Sequence, residues 1–336
     1  MHPFDFINVI GDYMIKAIIF LILGFVLLVK GADYFVDGAS GIAKKLRIPS
    51  IVIGLTIVAF GTSAPELAVS MTAALKGSND IAIGNVVGSN IFNTLVVLGA
   101  SAAITPMIVQ KEIIKADYPI SIFITLLLGI FCLDKLFGAE NMTIGRIDGI
   151  ILLICFAGFM FIVIREGLKN RDISENEIEN AKAKPIWLTL LLTVLGLAGI
   201  IIGGDMTVDG AKEIARFFGL SEALIGLTVV ALGTSLPELV TSIVAAKKGE
   251  SDIAVGNVVG SNIFNILLIL GVSATILPMN VSTTYIYDIG ILLAICIIFF
   301  IPMAIKKKVS RGMGIIMVLT YALYTTYLIL RQLGKI

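Results

Sequence analysis

Residues 53–99 read IGLTIVAFGTSAPELAVSMTAALKGSNDIAIGNVVGSNIFNTLVVLG, and residues 225–271 read IGLTVVALGTSLPELVTSIVAAKKGESDIAVGNVVGSNIFNILLILG. The two stretches lie 172 residues apart, and from Gly54 to Pro106 that register holds without a gap, with 36 of 53 positions identical. Upstream, GADYFVDGA at 31–39 falls on GGDMTVDGA at 203–211 at the same offset. Self-similarity at a fixed spacing marks a duplicated structural unit. The chain therefore divides into a first copy (1–164), a joining stretch (165–185) and a second copy (186–336).

Outside these stretches the chain is strongly apolar. Of 336 residues 57% are hydrophobic and 15% charged, where a soluble domain carries about a quarter charged residues. Blocks such as Ile18–Leu28, Ile120–Phe131, Ile150–Ile164, Ile186–Ile202 and Ile289–Ile301, extended by weaker flanks, approach the roughly 20 residues a helix needs to cross a bilayer. The expected fold is an all-α integral membrane protein of ten transmembrane helices. They fall near 14–38, 50–76, 80–103, 118–134, 146–165, 186–210, 221–247, 252–276, 285–303 and 312–331. The one long polar stretch, REGLKNRDISENEIENAKAK at 165–184, reads as a cytoplasmic linker.

Five helices per copy is an odd number, so the second copy must enter the membrane from the opposite face. The expectation is two inverted five-helix repeats, an arrangement found among secondary transporters. The basic residues test it, because cytoplasmic loops hold the excess of Lys and Arg. With the N-terminus outside, inner segments hold sixteen basic residues and outer ones eight. That bias puts both termini on the extracellular side of the plasma membrane. A net charge of +1 gives no reason to expect a nucleic-acid partner, and no obligate protein partner is evident. Cys132, Cys155 and Cys296 are scattered in apolar surroundings without metal-ligand spacing. His2 stands alone at the terminus, and the first residues lack the basic region and small-residue cleavage site of a signal peptide.

Each copy sets one glutamate in an otherwise apolar span: Glu66 after IVIGLTIVAFGTSAP, and Glu238 in the same place of the second copy. An ionised group at bilayer depth costs several kcal/mol and usually marks an ion pathway. No basic residue lies near it in either span, so a bound cation is the natural partner. Pro65 and Pro237 stand directly before the glutamates. Proline removes a backbone donor and clashes with the carbonyl four residues earlier, so a break is expected near Gly61-Thr62-Ser63 and Gly233-Thr234-Ser235. Broken backbone at this depth is tolerated where it lines a cavity, and free carbonyls suit hard cations. Thr62 and Thr234 stand four residues before the glutamates, on the same face if the helical turn persists.

The second element of each copy is GNVVGSNIFN, at 84–93 and 256–265. Its glycines read as close-packing positions. Ser89 with Asn93, and Ser261 with Asn265, are spaced to share a face and offer the neutral oxygens that sodium and calcium prefer. Asn85, Asn90, Asn257 and Asn262 read as hydrogen bonders between helices and are left out of the site. Two carboxylates carry −2, which one Ca2+ or two Na+ would neutralise; magnesium or protons could use the same charge. Asp33, Asp37, Asp205 and Asp209 are duplicated acids that read as solvated helix-end residues.

GTSAPE and GTSLPE, each followed by GSNIFN, resemble the paired repeats of the calcium/cation antiporter superfamily, and within it the compact prokaryotic sodium/calcium exchangers. The resemblance spans nearly the whole chain. It implies alternating access and electrogenic exchange of three Na+ for one Ca2+, with lipid and the two ions as the only partners and no cofactor. Carried over position by position, it implies Glu66, Glu238, Thr62 and Thr234 as central ligands, with Ser63, Ser235, Ser89 and Ser261 on flanking sodium sites. Ala59 and Ala231 would add backbone carbonyls, and Asn93 and Asn265 would line the middle. Potassium-dependent relatives carry aspartate where Asn265 stands, and proton-coupled relatives replace the GTSxPE element. Both departures favour sodium coupling over the alternatives, a proton- or potassium-dependent antiporter or a cation channel. The chain lacks the HExxH of a metalloprotease and the mid-span aspartate pair of an aspartyl protease, so an enzyme is not expected.

Overall fold

The computed structural model describes residues 3–133, 142–169, 185–219 and 231–332. Its helices are α1 (Pro3–Leu46), α2 (Ser50–Thr62), α3 (Ala64–Leu75), α4 (79–104), α5 (Ile113–Phe131), α6 (Arg146–Lys169), α7 (Ile186–Phe217), α8 (Ala231–Gly233), α9 (Leu236–Lys247), α10 (Ser251–Ile276), α11 (Thr283–Lys306) and α12 (Arg311–Gln332). Eight of these are long and apolar enough to cross a membrane, and a ninth span results if α2 and α3 count as one bent helix. The expected helix at 221–247 is described only from residue 231, and most of the linker at 165–185 lies outside the described residues.

Two-residue ribbons close the ends of the bundle. Met107–Ile108 pairs antiparallel with Lys308–Val309, and Thr143–Ile144 with Met279–Asn280. Each ribbon takes one strand from each copy.

Glycine spacing sets the closest helix pair. Gly24, Gly31 and Gly38 recur every seven residues on α1; Gly196, Gly203 and Gly210 do the same on α7, at the repeat offset of 172. Seven residues are about two helical turns, so each set lies on one stripe. A β-carbon built on Gly31 would come within 2.6 Å of Ile200 N, one on Gly203 within 2.4 Å of Leu28 N, and one on Gly210 within 2.7 Å of Ala17 O. Position rises along α1 as it falls along α7, so the two helices pack antiparallel at backbone contact. This packing carries α1 past the expected 14–38, to Leu46, and α7 past 210, to Phe217. Hydropathy marks only the part of such a helix that lies in lipid.

The same device interlocks the copies around the centre. Gly256 and Gly260 of α10 receive the backbone of α2 at Ile51 and Leu55, while Gly99 of α4 meets Gly314 of α12 and Gly271 of α10 meets Gly149 of α6. α10 is almost wholly enclosed, whereas α6 and α12 turn most of their length outward. The outward faces of α1, α6, α7 and α12 carry large apolar residues such as Phe20, Ile154, Val194 and Leu323, which suits contact with lipid tails.

Candidate functional site

The break predicted at the prolines is present. α2 ends at Thr62 and α3 starts at Ala64, bent by 49°. Between them Ser63 leaves the helical region, with φ −82° and ψ 6°, and Ser235 does the same at φ −93° and ψ 7°. Pro65 and Pro237 fall in the first turn of the following helix, where an N–H would be unpaired in any case. Each glutamate thereby comes to a first turn, at the end of the helix that favours negative charge.

The two glutamates are fully buried. Their hydrogen bonds cross between the copies. Ser63 Oγ donates to Glu238 Oε1 at 2.9 Å, and Ser235 Oγ donates to Glu66 Oε1 at 2.9 Å. Ser89 Oγ lies 3.1 Å from Ser235 Oγ. A hydroxyl has one proton, so Ser89 donates to Ser235 and Ser235 to the carboxylate.

Each carboxylate has a second oxygen with no such partner. Glu66 Oε2, Glu238 Oε2, Ser261 Oγ, Asn265 Oδ1 and both polar atoms of Asn93 are buried and make no hydrogen bond among the described residues. Buried polar atoms are normally paired. Here all but one are oxygen, two belong to the acids themselves, and no Lys or Arg is buried among the described residues. A hard cation bound by oxygen satisfies such a set; a basic side chain is not there to do it. Two wide helical turns, Asn93–Val97 and Asn265–Leu270, start at the two asparagines. Such turns are rare and concentrate at functional sites.

Of the residues named from sequence, Thr62, Ser63, Glu66, Ser89, Asn93, Ser235, Glu238, Ser261 and Asn265 are buried together with Ala59, while Thr234 is half-buried. Ala231 opens α8, and nothing is stated of its side chain. Ala59 O already accepts from Ser63 N at 3.0 Å and lies 3.4 Å from Thr62 Oγ1.

Two expectations change. Asp33 and Asp37 lie within α1 rather than at a helix end, and both pair with Lys248, at 2.7 and 2.6 Å. Ser40 Oγ donates to Glu250 Oε1 at 2.6 Å beside them. Burial alone would lower the pKa of the Lys248 ammonium, but its hydrogen bonds to Asp33 and Asp37 raise it. Asn85 and Asn257, set aside as helix-to-helix bonders, reach the site itself. Asn257 Oδ1 accepts from Thr62 Oγ1 at 3.0 Å, and Asn85 Oδ1 from Thr234 Oγ1 at 3.4 Å. The available signal was their identity at the same place in both copies of GNVVGSN.

Residues 16–165 and 188–330 match the sodium/calcium exchanger protein family. The chain belongs to that family. It is a family of transporters, and this member is a multi-pass membrane protein. It is 35% identical over 343 residues to the sodium/calcium exchanger MaX1 of Methanosarcina acetivorans, covering 92% of this chain and 97% of that one. It is 44% identical over 269 residues to the putative antiporter CaxA of Alkalimonas amylolytica, covering 79% and 82%. Its fold matches a crystal structure of the sodium-calcium exchanger NCX_Mj with a TM-score of 0.80 at 32% identity, over 94% of this chain and 99% of that one.

Proposed function

We propose that this protein exchanges Na+ for Ca2+ across the plasma membrane through a site centred on Glu66 and Glu238. The carrying observation is the crossed pair of carboxylates: each has one oxygen held by a serine of the other copy and one without a partner. Glu66, Glu238, Thr62 and Thr234 would hold calcium. Ser63, Ser235, Ser89 and Ser261 would complete flanking sodium sites with the carbonyls of Ala59 and Ala231, and Asn93 and Asn265 would line the centre. Magnitudes favour one occupant class at a time, because a −2 cavity is balanced by one Ca2+ or two Na+, with neutral oxygens left for a third Na+. Exchange at three to one would move one charge per cycle, worth about 2.3 kcal/mol per 100 mV.

The scaffold in this reading is ten helices in two inverted five-helix repeats, residues 1–164 and 186–336, joined by a cytoplasmic linker at 165–185. Antiparallel packing of the repeat-equivalent helices α1 and α7 supports the inversion, and the basic-residue bias supports extracellular termini. Alternating access would proceed by sliding of α1 and α7 past the glutamate-bearing centre.

The test is uptake of radioactive calcium into sodium-loaded proteoliposomes, with Glu66→Gln and Glu238→Gln beside the parent. The expected result is uptake that needs an outward sodium gradient, ignores potassium and falls to background in both variants. Uptake that persists without sodium, or follows a pH gradient instead, would overturn the sodium coupling.

A further inference from the structure

The duplicated acids of α1 and α7 are not used by the ion chemistry above, and the two helices do not hold them alike. At the end of the bundle where α7 begins, Gly38 of α1 packs on Thr189 and Thr193. There Lys248 crosses from the α9–α10 turn, in the second copy, to α1 in the first. Its ammonium lies 2.7 Å from Asp33 Oδ1 and 2.6 Å from Asp37 Oδ1, and it donates to the main-chain oxygen of Asp33 at 2.8 Å. Two residues along the same turn, Glu250 accepts from Ser40 Oγ at 2.6 Å. Asp33, Asp37 and Ser40 are four and three residues apart, so they share one face of α1. That seam is shut: Val36, Ala39 and Ser40 are buried, and Asp33 and Asp37 are half-buried.

At the offset of 172 the counterparts are Asp205, Val208, Asp209, Ala211 and Lys212 on α7, with Lys76 and Ser78 on the α3–α4 turn. Each of these α7 positions is more open than its partner on α1. Val208, Ala211 and Lys212 are half-buried, and Asp205 and Asp209 are exposed. Lys76 is exposed as well and reaches neither acid; Asp209 pairs instead with Lys212 of its own helix at 3.2 Å. One seam is therefore closed by a lysine from the opposite copy, while the equivalent seam, with an equivalent lysine, stands open.

We propose that Lys248 latches the end of the bundle where α7 begins, and that Lys76 forms the matching latch with Asp205 and Asp209 when the opposite end shuts, so that one tie forms as the other parts. This rests on the reading that α1 and α7 slide in an alternating-access cycle. The two latches are unequal. Lys212 already pairs with Asp209, whereas Ser40 at the same place is neutral, and Ser78 offers no carboxylate where Glu250 stands. The protein therefore rests with the Lys248 end shut. An exposed ion pair is weak, yet contacts of that size, made in one state only, move a two-state equilibrium severalfold.

Ala43 is buried on α1 about one turn beyond Ser40, so a cysteine there reports opening of this end. Full-length protein carrying Ala43→Cys is labelled with a maleimide in the absence of Na+ and Ca2+, beside protein without the reporter to correct for the native cysteines. Lys248→Gln should speed labelling about threefold, the scale of one such ion pair, and Lys248→Arg should keep the parent rate. Lys76→Gln should slow labelling by about the same factor, because it removes a tie that exists only while the Lys248 end is open. A purely local role for Lys248 would not give Lys76, at the other end of the bundle, any effect on this reporter. An unchanged rate in Lys248→Gln, or a rate in Lys76→Gln that holds or rises, would overturn the proposal. If Lys248→Gln fails to fold, Asp33→Asn combined with Asp37→Asn decides in the same way. Absent shifts in protein that shows sodium-driven calcium uptake would sink the latch alone. Opposite shifts in protein that lacks such uptake would sink the sodium coupling and leave the latch standing.

Discussion

The two copies of GTSxPE and GNVVGSNIFN have nearly the same sequence but do not have the same surroundings. Thr62 and Asn257 are fully buried, while their counterparts Thr234 and Asn85 are half-buried. Asn265 Nδ2 donates to Asn90 Oδ1 at 3.0 Å, while Asn93 has no partner among the described residues. Ser89 bonds to Ser235, while Ser261 Oγ is unpaired. Lys248 binds Asp33 and Asp37, while its counterpart Lys76 is exposed. Asp209, the counterpart of Asp37, pairs instead with Lys212 on its own helix. A duplicated chain thus holds one arrangement in which equivalent polar groups differ in burial and in partners. Two copies of one motif can exchange such roles at little cost, since the same residues are present at both ends. The proposed alternating-access cycle would use such an exchange of roles.

The largest expected effect tests what the copies share. Gly31→Val and Gly203→Val should each destabilise the protein alike, because either side chain would enter backbone of the opposite helix. Overpacking of this kind costs about 1–3 kcal/mol or more. Gly158→Ala, with nothing within 4 Å of the added carbon, should leave the melting temperature no lower and raise it slightly, since glycine inside a helix costs about 0.5–1 kcal/mol relative to alanine. A Gly158 variant that melts as early as the Gly31 one would detach the loss from the α1–α7 contact.

Next comes the central difference between the copies. Asn265→Ala leaves Asn90 Oδ1 buried without its donor and should cost about 1–3 kcal/mol in cation-free melting. Asn93→Ala removes two unpartnered polar atoms and should cost much less, while weakening the stabilisation by added Na+ or Ca2+. Equal losses in cation-free melting would mean that the two asparagines are equivalent in solution.

The smallest effect concerns the rim. Lys248→Gln should lower stability by roughly 0.2–1 kcal/mol, the range of exposed ion pairs, and less at high salt. Lys76→Gln should do nothing measurable. Because the folded Lys248 pKa is raised, its contribution is fully present below the unfolded value of about 10.4 and is lost only as pH climbs through the higher folded value. The difference between the two lysine variants should therefore be flat from pH 6 to 9. A contrast that fades within that window would implicate another group.

Much of this was legible in the sequence because it depends on composition and spacing. Long apolar blocks demand helices that satisfy their own backbone in lipid. An offset of 172 residues reveals the duplication, and Pro65 and Pro237 announce the breaks since proline lacks the donor a continuous helix requires. Glu66 and Glu238 stood out because nothing basic in their spans could pair with them. The seven-residue glycine stripes on α1 and α7 were equally present in the sequence, but they carry meaning only once the two helices are known to face each other.

Which groups meet across the copies was decided by the tertiary structure. Ser63 serves Glu238 rather than its neighbour Glu66, Asn257 serves Thr62, and Lys248 serves Asp33 and Asp37. These partners lie 175, 195, 215 and 211 residues apart, and no local periodicity encodes such contacts. Two nearly identical motifs contain no instruction for differing from each other, either. The asymmetry arises because packing around two buried carboxyl groups must settle into one arrangement, and each polar group then takes the partner that this arrangement brings within reach.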